Sequence, residues 1–156
     1  MAFYQRKNTR LTGYDYHTEN YYFITICTHN KNCIFGEPKK LNDVGKISEE
    51  CILKIQVFYP HVRVDNYVVM PNHIHIILAL EGTDQGFILP DISEVIGQYK
   101  MSVTKKVRKL YPDMNVWQRS FHDHIIRNQS EYEKIWNYVE YNDQKWNEDR
   151  YYIIED

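Results

Sequence analysis

Residues 61–80, HVRVDNYVVMPNHIHIILAL, hold two strand-like runs separated only by Pro71-Asn72. β-Branched and aromatic residues favour extended backbone in both runs, and so short a connection between strands implies an antiparallel hairpin. Within the second run, His73 and His75 stand two residues apart. Successive side chains on a strand alternate between faces, so these two imidazoles share one face while Ile74 and Ile76 take the other.

The flanking segments predict what this hairpin joins. NYYFITICTHN (20–30) reads as a strand. LNDVGKISEECILKIQVFYP places Val44, Ile47, Cys51, Ile52, Ile55 and Phe58 at helical spacing, with Pro60 as the stop. DISEVIGQYKMSVTKKVRKLY (91–111) predicts a second helix, with Ile92, Val95, Ile96, Tyr99 and Val103 inward and its bases outward. VWQRSFHDHIIR (116–127) contains a fourth strand, and SEYEKIWNYVEYN opens a third helix over 130–144 with a Ser130/Glu133 capping box. The order strand, helix, strand, strand, helix, strand, helix is an α+β arrangement. It matches the ferredoxin-like split βαβ fold, an antiparallel sheet, with an added C-terminal helix.

At 156 residues the chain reads as a single domain over 1–156, with an N-terminal arm (1–19) and an acidic tail (145–156). An apolar fraction of 43% with 26% charged residues excludes wholesale disorder. Three cysteines without metal-ligand spacing read as reduced thiols. No run reaches membrane-spanning length and no apolar leader is present, so no membrane partner and a cytoplasmic setting are expected.

The net charge of -2 argues against a generic nucleic-acid binder, but charge is unevenly placed. Residues 131–156 hold eight acids against three bases, and the rest of the chain is correspondingly basic. Bases cluster at Lys100, Lys105, Lys106, Arg108 and Lys109 and around Arg10. Fourteen tyrosines supply flat surface that can stack on unpaired bases.

A lone H-x-H is weak evidence for a metal, and FHDH carries a second such pair, His122 and His124. The first pair follows directly on a hairpin turn, where a sheet is rigid. On the 130–144 helix, Tyr132, Ile135, Trp136 and Val139 form the inward stripe. Tyr141 then faces solvent, while Tyr138 lies on the flank with Asn142 four residues on. A histidine-nucleophile phosphohydrolase would need H-x-H-x-H, and position 77 is isoleucine.

RLTGYDY (10–16), YYFITICT (21–28), YVVMPNHIHIIL (67–78), WQRSFHDHIIRN (117–128) and YEKIWNYVEYN (132–142) occur in order over most of the chain. Together they resemble the HUH single-tyrosine transposases of bacterial insertion sequences, and above all the REP-associated tyrosine transposases. The resemblance implies that His73, His75 and Asn142 hold Mg2+ or Mn2+ and that Tyr138 is the nucleophile. Many transposases of this type carry glutamine where this chain has Asn142, which offers the same carbonyl oxygen on a shorter stem.

The implied activity is cleavage and rejoining of single-stranded or hairpin DNA from palindromic repeats, through a 5′-phosphotyrosine. The same resemblance places the protein with the bacterial nucleoid and leaves monomer and homodimer both open. His124, the metal and a nearby lysine all remain open as the group that takes the tyrosine proton. Candidate DNA contacts are Arg10, Tyr14, Tyr16, Lys100, Lys105, Lys106 and Arg119. The alternative is an inactive module of the same fold that only holds structured nucleic acid.

Overall fold

Eight consecutive residues, His73–Leu80, form a strand buried along its whole length, and the other elements are arranged around it. The computed structural model of the chain describes residues 20–81 and 89–148. Strand β1 (Asn20–Cys27) is followed by a short hairpin, β2 (Gly36–Glu37) and β3 (Lys40–Leu41). Helix α1 (Asp43–Leu53) and the single turn α2 (Ile55–Phe58) lead to β4 (Val62–Val69) and β5 (His73–Leu80). Helix α3 (Ile92–Leu110), β6 (His122–Ile125) and α4 (Gln129–Tyr141) complete the order.

The four long strands make one antiparallel sheet in the order β4-β5-β1-β6. This is the expected ferredoxin-like α+β topology. It places β5 between two neighbours, and both faces of that strand are covered. Ile74, Ile76 and Leu78 pack with Ile24 and Ile26 against Val44, Ile52, Val95, Ile96 and Tyr99 of α1 and α3. On the opposite face Ile77 packs with Val68 and Met70 against Val139 of α4. No helix among the described residues is long and apolar enough to cross a membrane.

Three local expectations change. The helix predicted to run as far as Pro60 breaks at Lys54, which turns Phe58 outward to 56% exposure. Residues 61–70 form the expected strand, but strict alternation of faces does not hold through β4. Its register with β5 shifts between Val64 and Asn66, so even-numbered residues face the α1/α3 core before the bulge and odd-numbered ones after it. The fourth strand is only four residues long, because the chain before it is an irregular segment held by the Lys100 ammonium on Gln118 O and Ser120 O.

The β4 bulge aims two polar residues at α4, a common use of an extra strand residue. Asp65 accepts a hydrogen bond from the Tyr132 hydroxyl at 2.7 Å, and Asn66 Nδ2 donates to Glu140 Oε2 at 3.2 Å. Burial and the Asp65 carboxylate push the Tyr132 phenol far above its ordinary range, so it stays a donor. Tyr132→Phe deletes that donor alone, and a hydrogen bond to a charged group contributes about 1.5–3 kcal/mol. The expected result is lower denaturant stability by about 1–2 kcal/mol, with amide exchange accelerated in α4 and unchanged in β1 and β5.

Candidate active site

The two imidazoles of β5 lie on the α4 face and are almost inaccessible, His73 at 0% and His75 at 2%. Both rings are fixed through Nδ1. Asn72 Nδ2 donates to Lys31 O at 3.2 Å, which turns its Oδ1 toward His73 Nδ1 at 2.8 Å. An amide oxygen only accepts, so His73 Nδ1 is the donor of this hydrogen bond. Thr28 secures the same turn, its backbone N–H and its hydroxyl each donating to Asn72 O at 3.0 Å. His75 Nδ1 meets Thr25 Oγ1 at 2.9 Å across the β1–β5 pairing.

Helix α4 crosses this face. It begins two residues earlier than the Ser130/Glu133 box implies, because Asn128 is the N-cap and accepts from Glu131 N–H at 2.9 Å. Glu131 answers by accepting from the Arg127 backbone N–H at 3.1 Å and by bonding His124 Nε2 at 2.6 Å. The helix ends at Tyr141, and Asn142–Gln144 continue as a 3-10 turn where helix was predicted to 144. Val139 is buried while Tyr141 is 49% exposed, which is the rotation read from the sequence.

That rotation sets the tyrosine. The Tyr138 hydroxyl stands 3.5 Å from His75 Nε2, yet the residue is 43% exposed. Its ring packs on His75 and edge-on against Phe23, with centroids 5.2 and 6.1 Å apart. The two histidine rings are 4.7 Å apart, and Trp146 lies 6.1 Å from His73. Asn142 is buried, and its Oδ1 and His73 Nε2 are both inaccessible atoms of this region. Ring contacts bring His73, His75 and Tyr138 together on the α4 face, and Asn142 borders a cleft beside Tyr138.

Two clefts open beside Tyr138. One, of about 470 Å³, is bordered by Thr25, His75, His122, His124 and Lys134. The other, of about 710 Å³, is bordered by Lys134, Tyr141, Asn142, Lys145 and Glu148. The second histidine pair thus faces the same side as the first. His122 is exposed at the sheet edge, however, and His124 is engaged by Glu131.

Among the described residues no group of three His, Cys, Asp or Glu side chains is placed to hold a metal. The donor set here is different in kind: two imidazoles with Nδ1 anchored, and a carboxamide. Imidazole ligands are held in this way at metal centres, the second ring nitrogen being fixed by an outer partner.

The DNA-contact candidates are scattered. Lys100, Lys105 and Lys106 belong to α3, on the layer opposite α4. Lys100 is committed to the two carbonyls before β6, and Arg119 is exposed beside them. Arg10, Tyr14 and Tyr16 lie outside the described residues. Sequence reasoning missed Thr25, Asn72 and Trp146. Asn72 was visible only as a turn residue, Thr25 needed the strand register, and Trp146 sits in the segment assigned to the acidic tail.

A family model described as "Transposase IS200 like" matches residues 15–142. A Haemophilus influenzae protein described as uncharacterized is 34% identical over 96% of this chain and 94% of its own length. A candidate REP-associated tyrosine transposase from the same organism is 26% identical over 47% of this chain and 45% of its own length. Among solved structures, a REP-associated tyrosine transposase bound to a REP hairpin aligns with TM-score 0.59 at 21% identity, over 93% of this chain and 74% of that one. A candidate transposase from Deinococcus radiodurans R1 aligns with TM-score 0.54 at 17% identity, over 84% and 95%.

The Glu131 anchor gives a pH dependence. Burial alone would raise its carboxyl, but hydrogen bonds from His124 and the Arg127 backbone, with the charges of both residues, hold it below the ordinary 4.5. A depressed carboxylate contributes stability that is present above 4.5 and lost as pH falls through the lowered value. Denaturant midpoints measured against pH are expected to show wild type above Glu131→Gln at neutral pH, with the gap closing in acid below 4.5.

Proposed function

The chain belongs to the IS200-like transposase family, and on that premise we propose that it is a metal-dependent single-strand DNA endonuclease and strand transferase acting through Tyr138. One observation carries the reading: a half-exposed phenol stands 3.5 Å from a buried imidazole, on the sheet face that holds a second imidazole and next to a buried carboxamide. A nucleophile must meet substrate and an electrostatic partner together, and Tyr138 is open to both clefts while His75 is not open to bulk water.

In this account His73 Nε2, His75 Nε2 and Asn142 Oδ1 hold Mg2+ or Mn2+. Asn72 would hold His73 with Nε2 toward the ion, and Thr25 would fix the orientation of the His75 ring. A divalent ion bound there supplies Lewis-acid neutralisation of charge on the phosphate and orients it. The Tyr138 oxygen bonds to phosphorus as the P–O3′ bond breaks. The phenolic proton leaves, and the departing 3′ oxygen ends as a hydroxyl. The 5′-phosphotyrosine conserves one phosphodiester-like bond, so a second 3′-hydroxyl can reverse the step and rejoin strands.

Phe23 and the imidazole ring of His75 brace the phenol from below, which limits its rotation once a strand is seated. The proposed substrate is hairpin DNA with single-stranded flanks; the REP-associated tyrosine transposase of similar fold is bound to a REP hairpin, which supports the hairpin part of that reading. Arg119 is a proposed contact to the stem, whereas Lys105 and Lys106 lie on the layer away from α4. Affinity drawn from such phosphate contacts falls steeply with salt.

The test is strand cleavage with Mg2+ or Mn2+. Tyr138→Phe is expected to bind the hairpin as wild type does and to lose cleavage by at least about 10³-fold, the scale on which a covalent nucleophile contributes. Tyr141→Phe, on the solvent face, is expected to keep both. Binding by wild type without cleavage under any divalent ion would instead support a non-catalytic nucleic-acid module. A separate titration checks the metal reading. Thr25→Val is expected to weaken Mn2+ binding by about 10-fold, whereas an unchanged affinity would remove Thr25 from the account.

A further inference from the structure

Among the described residues, the two clefts beside α4 share two bordering residues, Lys134 and Tyr138. These stand four apart on α4, one turn from each other on the same helix face. Side chains on a helix lean toward its N-terminus, so the Tyr138 ring leans toward Lys134. Together they form a ridge with a cleft on each side.

Lys134 is exposed, and among the described residues its ammonium makes no ion pair or hydrogen bond. The acids nearest in sequence do not claim it. Glu131 is held by His124 and Arg127, and Glu133 accepts from Gln129 Nε2 at 3.2 Å. The other lysines are placed elsewhere: Lys100 caps two carbonyls, Lys105 and Lys106 lie on the far layer, and Lys145 borders one cleft only. Lys145 and Glu148 border one cleft and Asp123 the other, so Lys134 is the lysine common to both clefts.

We propose that Lys134 is a phosphate-binding residue of this site, and that the substrate strand crosses the ridge with one flank in each cleft. The proposal rests on the reading of Tyr138 as nucleophile. It adds that the phosphate presented to that tyrosine, or its immediate neighbour, is held by the Lys134 ammonium. A strand that crosses the ridge presents a backbone phosphate to the phenol, where an in-line attack needs the leaving 3′ oxygen on the side of phosphorus away from Tyr138. Tyr141 borders the cleft on the C-terminal side and offers a ring for the base that enters there.

The experiment uses the full chain and a DNA hairpin with single-stranded flanks. In a Tyr138→Phe background, which removes turnover, affinity is measured across salt for Lys134, Lys134→Gln and Lys134→Arg. Lys134→Gln is expected to make the log–log salt slope shallower by roughly 0.7, the loss of one phosphate contact on a single strand. Lys134→Arg is expected to retain the slope. A scan of single methylphosphonate linkages is expected to find one position where neutralising the phosphate abolishes the Lys134→Gln effect. Because Lys134 is exposed, thermal melting of both variants is expected to match the parent.

An unchanged slope with additive methylphosphonate effects would overturn the proposal. So would Lys134→Arg with the same shallow slope as Lys134→Gln, since a retained positive charge would then make no phosphate contact. Failure of the tyrosine reading looks different: wild type would not cleave at all, while the salt slope would still report on Lys134.

Discussion

Helix α4 docked across the histidine face of the sheet is the contact on which the site depends. Strand β5 lies between β4 and β1, and its face carrying two imidazoles is buried under α4. Val139 provides the apolar plug, and two polar anchors set the helix rotation: Tyr132 on Asp65 at one side and Glu131 on His124 at the other. With both made, residue 138 falls beside His75 and residue 141 faces away. A rotation of one residue, about 100°, would separate phenol from imidazole entirely.

Much of this was legible because the relevant periodicities are strong. HIHIILAL has one pattern on each face, and the structure assigns its isoleucines at 74 and 76 to the α1/α3 core, as alternation requires. The i, i+3, i+4, i+7 stripe of α4 likewise separated Tyr138 from Tyr141 before any contact was known. What could not be read was information that resides in register. The β4 bulge inverts the alternation at Asp65 without any glycine or proline to announce it. Asp65 and Asn66 therefore reach α4 through a local backbone event. Thr25 meets His75 only because β1 and β5 pair in one alignment out of several.

The N-cap shows a different limit. Ser130/Glu133 and Asn128/Glu131 both satisfy the spacing of a capping pair. The second is chosen because Glu131, at that phase, can also reach His124 on the sheet edge. Tertiary contact decides between two local signals of similar strength. The same holds for the lysines of α3. Helical spacing put them outward correctly but could not say that outward there means away from α4. Charge on one sequence segment was therefore a poor guide to charge at the site, and the lysine beside the tyrosine lies inside an acidic segment.

The central claim is that the α4 phenol closest to the histidine pair is the atom that joins DNA. Proteolysis of a protein–DNA reaction trapped in the presence of Mn2+, followed by tandem mass spectrometry, locates the attached nucleotide. The account predicts a 5′-phosphonucleotide on Tyr138 and on no other tyrosine. Attachment at Tyr141 or Tyr132, or cleavage that proceeds with no nucleotide left on the protein, would contradict it.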